Sequence, residues 1–221
     1  MELKEVEKQL YDEVKKYLKD RDLRSAVEYG LTPLYGPLMK NPDIALLTFQ
    51  GGGANKLIQE KAPHQMLYLN DNERFGNVLR KYMNECGLYE KFTKSTVAHA
   101  VIFPQAPVTM AQKWLSSKNE PIKFWRDFSV KWTKKLILLQ NPKIIIIFGQ
   151  KTENLLDVKW NNNTLEFPHY GEGEITISEK ENSDNFETFK VIYCHHLSQG
   201  YTSNGVRKCF NKVKEFLKTN N

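Results

Sequence analysis

Long apolar runs are missing from this sequence: nowhere does it hold the roughly 20 consecutive apolar residues that a membrane-spanning helix needs. Its opening, Met1-Glu2-Leu3-Lys4-Glu5, leads straight into a charged helical pattern with no trace of a signal peptide, so a soluble, cytoplasmic protein is expected. Cysteine is scarce. Cys86, Cys194 and Cys209 are odd in number and lack CxxC spacing, which supports neither a disulfide framework nor a four-cysteine cluster or zinc site. Neither metal nor cofactor is expected. No internal repeat or low-complexity tract occurs, and the GxxxxGK[ST] pattern of a phosphate loop is absent, because Lys56 is followed by Leu57 where a metal-binding hydroxyl would stand. What is present suits one domain: 221 residues, 40% hydrophobic and 26% charged, are enough for a single well-buried core. The net charge of +6 permits a polyanionic partner without demanding one.

Glycine, sparse elsewhere, is concentrated in Gly51-Gly52-Gly53, directly after the apolar run Ile44 to Phe49. Three consecutive residues without side chains let something approach the backbone where a strand ends. A second apolar run, Val191 to Cys194, ends in His195-His196-Leu197-Ser198-Gln199-Gly200. Two strand ends carrying reactive-looking loops form the pattern of an open α/β sheet with its site at the carboxyl edge. An ordinary tight turn and a satisfied histidine pair remain open as plainer readings.

Apolar positions at Leu3, Val6, Leu10, Val14, Tyr17 and Leu18 predict an amphipathic helix within an N-terminal helical segment, residues 1–30. Strands are predicted at about 44–49, 97–103, 144–149 and 189–194, and helices at about 73–86, 122–140 and 204–218. Four consecutive isoleucines, Ile144 to Ile147, mark a strand buried on both faces, hence parallel. The stretch of about 157–189, rich in Asn, Glu and Ser, reads as a hairpin-like insertion into one domain of residues 1–221. The expected fold is a three-layer α/β/α sandwich around a central, mostly parallel sheet.

Four segments in this order resemble the uracil-DNA glycosylase superfamily, from about residue 41 to 217. Asn41-Pro42-Asp43-Ile44-Ala45-Leu46-Leu47 with the glycine triplet is similar to its first strand and water-activating loop. Asn72-Glu73-Arg74-Phe75-Gly76-Asn77-Val78-Leu79 with Cys86-Gly87-Leu88 resembles the Arg-Phe helix of the mismatch-specific and single-strand-selective branches. His99 to Pro104 resembles the second-strand segment, Asn141-Pro142-Lys143 through Gly149 the Pro-Lys-hydrophobic-Gly strand, and His196-Leu197-Ser198 the His-Pro-Ser loop. The departures are as distinct as the matches. No carboxylate stands near the glycines, where Gln50 and Asn55 are the only candidates to position water; His99 replaces a base-reading Asn, and Leu197 replaces Pro.

The resemblance implies a glycosylase-like fold, DNA as partner and a monomer that excises a flipped base. Such chemistry needs a stacking surface, a donor for the negative charge on the departing ring and one water at the anomeric carbon. Phe49, Phe75 and Phe103 adjoin the proposed loops, with Phe49 and Phe75 as base-stacking candidates and core packing as the alternative for each. His196 is placed to donate to a developing oxyanion, a contribution of about 10²-fold or more. Gly51, Gly52 and Gly53 put up no wall against a substituent at the pyrimidine 5-position, and the acceptor nitrogen of His99 suits a cytosine amino group. A bulky 5-modified pyrimidine, such as the hypermodified cytosines of some phage genomes, is the expected substrate. Lys56, Ser198, Gln199 and Arg207 are the expected DNA-backbone contacts. The interleaved Lys113-Trp114, Lys123-Phe124-Trp125-Arg126 and Lys131-Trp132 suit either DNA contact or a solvated helix face. Three rivals stand beside the enzyme: a DNA-binding module that has lost catalysis, a phosphate-loop protein, and a metal hydrolase on Cys194, His195 and His196. The last is disfavoured because neighbours on a strand point to opposite faces.

Overall fold

Two copies of one turn start the central pair of strands. Asn41-Pro42 and Asn141-Pro142 each place the asparagine in the left-handed region, at φ 47° and 53°, a conformation asparagine tolerates better than most residues. The turns are stitched together: Asn41 N–H donates to the Gln140 carbonyl at 2.6 Å and Lys143 N–H to the Pro42 carbonyl at 3.1 Å. From them run β1 (Ile44–Gln50) and β3 (Ile144–Phe148), parallel and in register from Ile44 opposite Ile144. β2 (Thr96–Ile102) lies beside β1, and β6 (Phe186–Cys194) beside β3. β5 (Tyr170–Ser178) and the two-residue β4 (Lys159–Trp160) extend the sheet antiparallel, giving the order β2-β1-β3-β6-β5-β4. This computed structural model describes residues 2–50, 56–70, 74–107, 113–161, 170–178, 186–197 and 203–219.

Helices cover both faces because alternate residues of the central strands are apolar in both directions. Ile44, Leu46, Ile144, Ile146 and Phe148 pack with α3 (Arg74–Glu85), α4 (Tyr89–Lys94) and α8 (Ser203–Thr219). Ala45, Leu47, Ile145 and Ile147 pack on the opposite face with Ile137 of α6 (Glu120–Gln140). A further cluster joins α6 to α1 (Leu3–Tyr17), which buries Val6, Leu10, Tyr11 and Val14 on one stripe. The remaining helices are short: α2 (Arg21–Ser25), α5 (Lys113–Ser116) and α7 (Gln150–Glu153). The result is an α/β chain with a six-stranded, mostly parallel mixed sheet between helical layers.

Several boundaries differ from expectation. The 1–30 segment is two helices parted after Tyr17, the second capped by Asp20, whose carboxylate accepts from the amides of Asp22 and Leu23. α6 starts two residues early, where Asn119 accepts from Ile122 N–H and Pro121 occupies the first turn. The hairpin between 157 and 189 is no appendage: its second arm is β6 itself, which begins at Phe186, and Ile175 and Ile177 of β5 fill the sheet's lower core.

Across the carboxyl end of β2 lies a small ribbon of three extended segments. Leu31 bridges Ile58 in parallel and Pro104 in antiparallel fashion, with Thr32 N–H donating to the Phe103 carbonyl and Gln105 N–H to that of Gly30. Gln59 locks it from within, exchanging bonds with Leu34 N–H, the Leu34 carbonyl and the Tyr11 hydroxyl. The ribbon returns the chain after residues 51–55 to the edge of the sheet from which it left.

Candidate functional site

In a parallel sheet, binding sites form beyond the carboxyl ends of neighbouring strands whose connections depart in opposite directions. Here the chain passes from β1 outward to β2 and then back to β3 on the other side, so the β1/β3 boundary is that point. Gly149 closes β3 there with φ 83°, a region that costs a side-chain-bearing residue strain. Space demands glycine too, since a Cβ at this position would stand 3.2 Å from the Cβ of His196. His196 thus packs directly over the end of β3.

Phe75, in the first turn of α3, flanks the histidine with ring centroids 5.2 Å apart and packs edge-on to Phe148 at 5.1 Å. Tyr68 continues the aromatic wall, 5.0 Å from Phe75, its hydroxyl 3.1 Å from Thr48 Oγ1 on β1. Burial in this wall disfavours the imidazolium, and the nearby positive charges of His195 and Lys151 act in the same direction, lowering the His196 pKa to about 4. At neutral pH the ring is therefore uncharged, offering one N–H donor and one acceptor.

Gln50 ends β1 and donates its Nε2 to the Ala106 carbonyl at 2.6 Å; because a carbonyl can only accept, this bond fixes which end of the amide is which. Its Oε1 is buried and has no partner among the described residues. Gln105, 4% exposed, bonds Thr32 Oγ1 through Nε2 at 2.9 Å and likewise leaves Oε1 unmatched. A buried acceptor without a donor is costly, so each of these oxygens is a candidate to accept from a bound group. Gln105 escaped the sequence reading, although a polar residue directly behind the proline that stops a strand was there to be seen.

His99 requires a correction. It lies in the middle of β2 rather than at its end, is 2% exposed, and bonds Gln140 Oε1 of α6 through Nε2 at 2.6 Å. Period-2 alternation aligns it with Val97 and Val101, which join the core beneath α6, so no base reaches it. Burial lowers its pKa to about 4, outweighing the opposing effect of the hydrogen bond that Gln140 Oε1 accepts. Phe49 is a second correction: it belongs to the α1/α6 cluster, away from the Phe75 wall, with the Lys151 ammonium 5.9 Å from its ring. Phe103 is fully buried in that same cluster. Arg207 is a third. It pairs with Glu85 at 3.1 Å and lies over Tyr82, at the far end of α3 from Phe75. Ten residues of helix put Glu85 about 15 Å from Phe75 along the axis.

Lys56 has left-handed φ, 59°, and its amide donates to Tyr29 at the ribbon's start; its side chain is exposed. Gly51, Gly52, Gly53, Asn55, Ser198 and Gln199 lie outside the described residues. The basic-aromatic pattern resolves to core packing. Trp114, Trp125 and Trp132 are at most 4% exposed, and the indoles of Trp125 and Trp132 donate to Leu23 and Glu13. The three cysteines are free and buried, and among the described residues no group of three or more His, Cys, Asp or Glu is arranged to hold a metal ion. No helix among the described residues is long and apolar enough to cross a membrane. Comparison with protein-family models finds no match, and neither does comparison with curated proteins.

Proposed function

We propose that this chain is a monofunctional DNA N-glycosylase, acting as a monomer, that flips out a modified pyrimidine and hydrolyses its glycosidic bond, in base-excision repair or in defence against phage DNA. The observation that carries this reading is His196: an imidazole held neutral by burial, braced on Gly149 and walled by Phe75 at the switch point of the sheet. A neutral imidazole is suited to donate a hydrogen bond to the oxygen of a pyrimidine that leaves as an anion, because charge then develops on the base rather than on the protein. Phe75, 8% exposed, forms with His196 the aromatic wall against which a flipped base would stack. The unmatched Oε1 of Gln50 can accept from a water and hold it for attack, while that of Gln105 can accept from an exocyclic amino group such as cytosine presents. The glycine triplet, with no side chain to bar a 5-substituent, supports a bulky cytosine derivative as substrate.

One observation favours a second reading, a module that binds modified bases without excising them. A glutamine amide positions water but does not take its proton, and Gln50 stands where a carboxylate would do both. An abasic-site assay separates the two. DNA carrying uracil, hydroxymethylcytosine or glucosylated hydroxymethylcytosine is incubated with the protein and cleaved with alkali; the enzyme reading expects strand breaks on a modified cytosine. Equal release of uracil overturns the specificity, and tight binding without breaks on any substrate overturns the catalysis.

A further inference from the structure

Lys151 has no part in the sequence reading, yet its charge, after that of His195, bears on His196. It lies in α7, three residues after β3 ends, on the edge of the sheet that holds the histidine. Its ammonium rests 5.9 Å from the Phe49 ring centroid, and no carboxylate among the described residues pairs with it. The acid nearest in sequence, Glu153, already accepts from the Trp160 indole at 2.9 Å. Elsewhere Lys91 and Lys143 bind Asp43 and Arg207 binds Glu85, while Lys135, 4.2 Å from the Trp132 ring centroid, bonds Gln9. What sets Lys151 apart is its place: half-buried and without a carboxylate partner among the described residues, it lies directly after β3 at the edge of the sheet that carries His196, where an anion from outside can reach it.

We propose that Lys151 holds a backbone phosphate of the DNA strand whose base is received at the wall formed by Phe75 and His196. The assignment rests on the glycosylase reading and deepens it, because the same cation ties phosphate docking to the state of the imidazole. From α3 the histidine meets the uncharged ring of Phe75 and from β3 it meets Gly149; the charges that bear on it are those of His195 and Lys151. In the free protein the lysine's field opposes a proton on His196. A phosphodiester anion on Lys151 cancels part of that field, so DNA binding and imidazole protonation favour each other. The lysine's field opposes a proton on the ring most in the empty site and less in the filled one, where the ring remains the neutral donor to the departing base.

The test is a salt titration of binding, followed by fluorescence anisotropy, on a labelled oligonucleotide with an uncleavable tetrahydrofuran abasic analogue, using wild type, Lys151→Gln and Lys151→Arg. Loss of one phosphate contact lowers the log–log salt slope by about one. That decrease is expected in the Gln variant and not in the Arg variant. One methylphosphonate placed beside the analogue should weaken wild type and leave Lys151→Gln unaffected, and the NMR titration midpoint of His196 should move upward in the Gln variant. Equal slopes for wild type and Lys151→Gln, with an unmoved His196 midpoint, overturn the assignment; if base release persists in that case, the glycosylase reading survives it. Failure of wild type to bind this DNA at all overturns both.

Discussion

At the amino edge of the sheet each oxygen of Asp43 has a lysine, Lys91 at 2.6 Å and Lys143 at 3.0 Å, and its amide donates to Ser95 Oγ. At the carboxyl edge two buried amide oxygens, on Gln50 and Gln105, have no partner among the described residues, and a buried imidazole stands beside a lysine that repels its proton. The contrast separates two uses of polar groups. The Asp43 cluster is paired within the chain, so its interactions act on folding, although Gln140 Nε2 near the same edge has no partner among the described residues. The two amide oxygens at the carboxyl edge have no partner among the described residues, and a ligand is one source of donors for them. Titration behaviour follows the same division. Burial works against ionisation of Asp43, but the lysine hydrogen bonds overcome it and hold its pKa below the ordinary carboxylate value, whereas at His196 the charges of His195 and Lys151 act with burial.

The largest effect that would sharpen this comparison is on chemistry. His196→Ala should reduce base release by about 10²- to 10³-fold, the usual loss for a donor to developing charge, while the melting temperature stays close to wild type. A mutant that unfolds along with its loss of activity would break the distinction. With the imidazole neutral down to about pH 4, base release by the wild type should also persist through pH 5 to 6 and fall only near pH 4. An acidic limb near 6.5 would show an exposed, ordinary histidine.

Next comes the core histidine. Its folded pKa, about 4, lies below the unfolded value of 6.5, so the unfolded chain binds more protons between them, and stability is full above pH 6.5 and declines as pH falls toward 4. The loss at His99 should approach about 3 kcal/mol at pH 4, taking 1.36 kcal/mol per pKa unit. Urea titrations of wild type and His99→Gln across this range test it, the variant losing that part of the pH dependence. A smaller effect belongs to the amino edge: Asp43→Asn leaves Lys91 and Lys143 facing each other without an anion and should cost about 1 to 2 kcal/mol, its partners being one-third exposed. Smallest is Gln50→Met, which removes an unmatched buried oxygen and with it the Nε2 donor to the Ala106 carbonyl; the two oppose each other, so stability should stay within about 1 kcal/mol of wild type, while the rate of base release falls. Equal destabilisation by Asp43→Asn and Gln50→Met would erase the difference between the edges.

Much of the scaffold was legible because its signals are local. The isoleucine run ends one residue from its predicted limit, and the apolar spacing of α1, α3, α6 and α8 emerges as their buried faces. β6 was read short because its first three residues, Phe186-Glu187-Thr188, are exposed and pair with β5 alone, without the two-sided burial that makes an apolar run. The site was legible only in part. His196 and Phe75 do meet, as their motifs implied, but His99 was misplaced because a polar residue in an apolar run was taken as the strand's end. Alternation with Val97 and Val101 already assigned it inward. No local pattern announces that Gln50 reaches Ala106 across 56 positions or that Lys151 lies over Phe49.

The paired Asn-Pro turns also work as a ruler. They start β1 and β3 at one level, Ile44 beside Ile144, but β1 runs seven residues and β3 only five, so Thr48 sits opposite Phe148 and Phe49-Gln50 go on alone on that side. β2 ends level with Gln50, and β6 ends level with Phe148. The sheet's rim is therefore a terrace: one half stands two residues, about 7 Å, above the other, with Gly149 and His196 on the lower step and Gln50 on the riser. The depth of that recess is set by a stitch at the opposite end of the strands. Lengthening either turn by one residue would change the height of the step and, with it, which face every side chain along that strand presents.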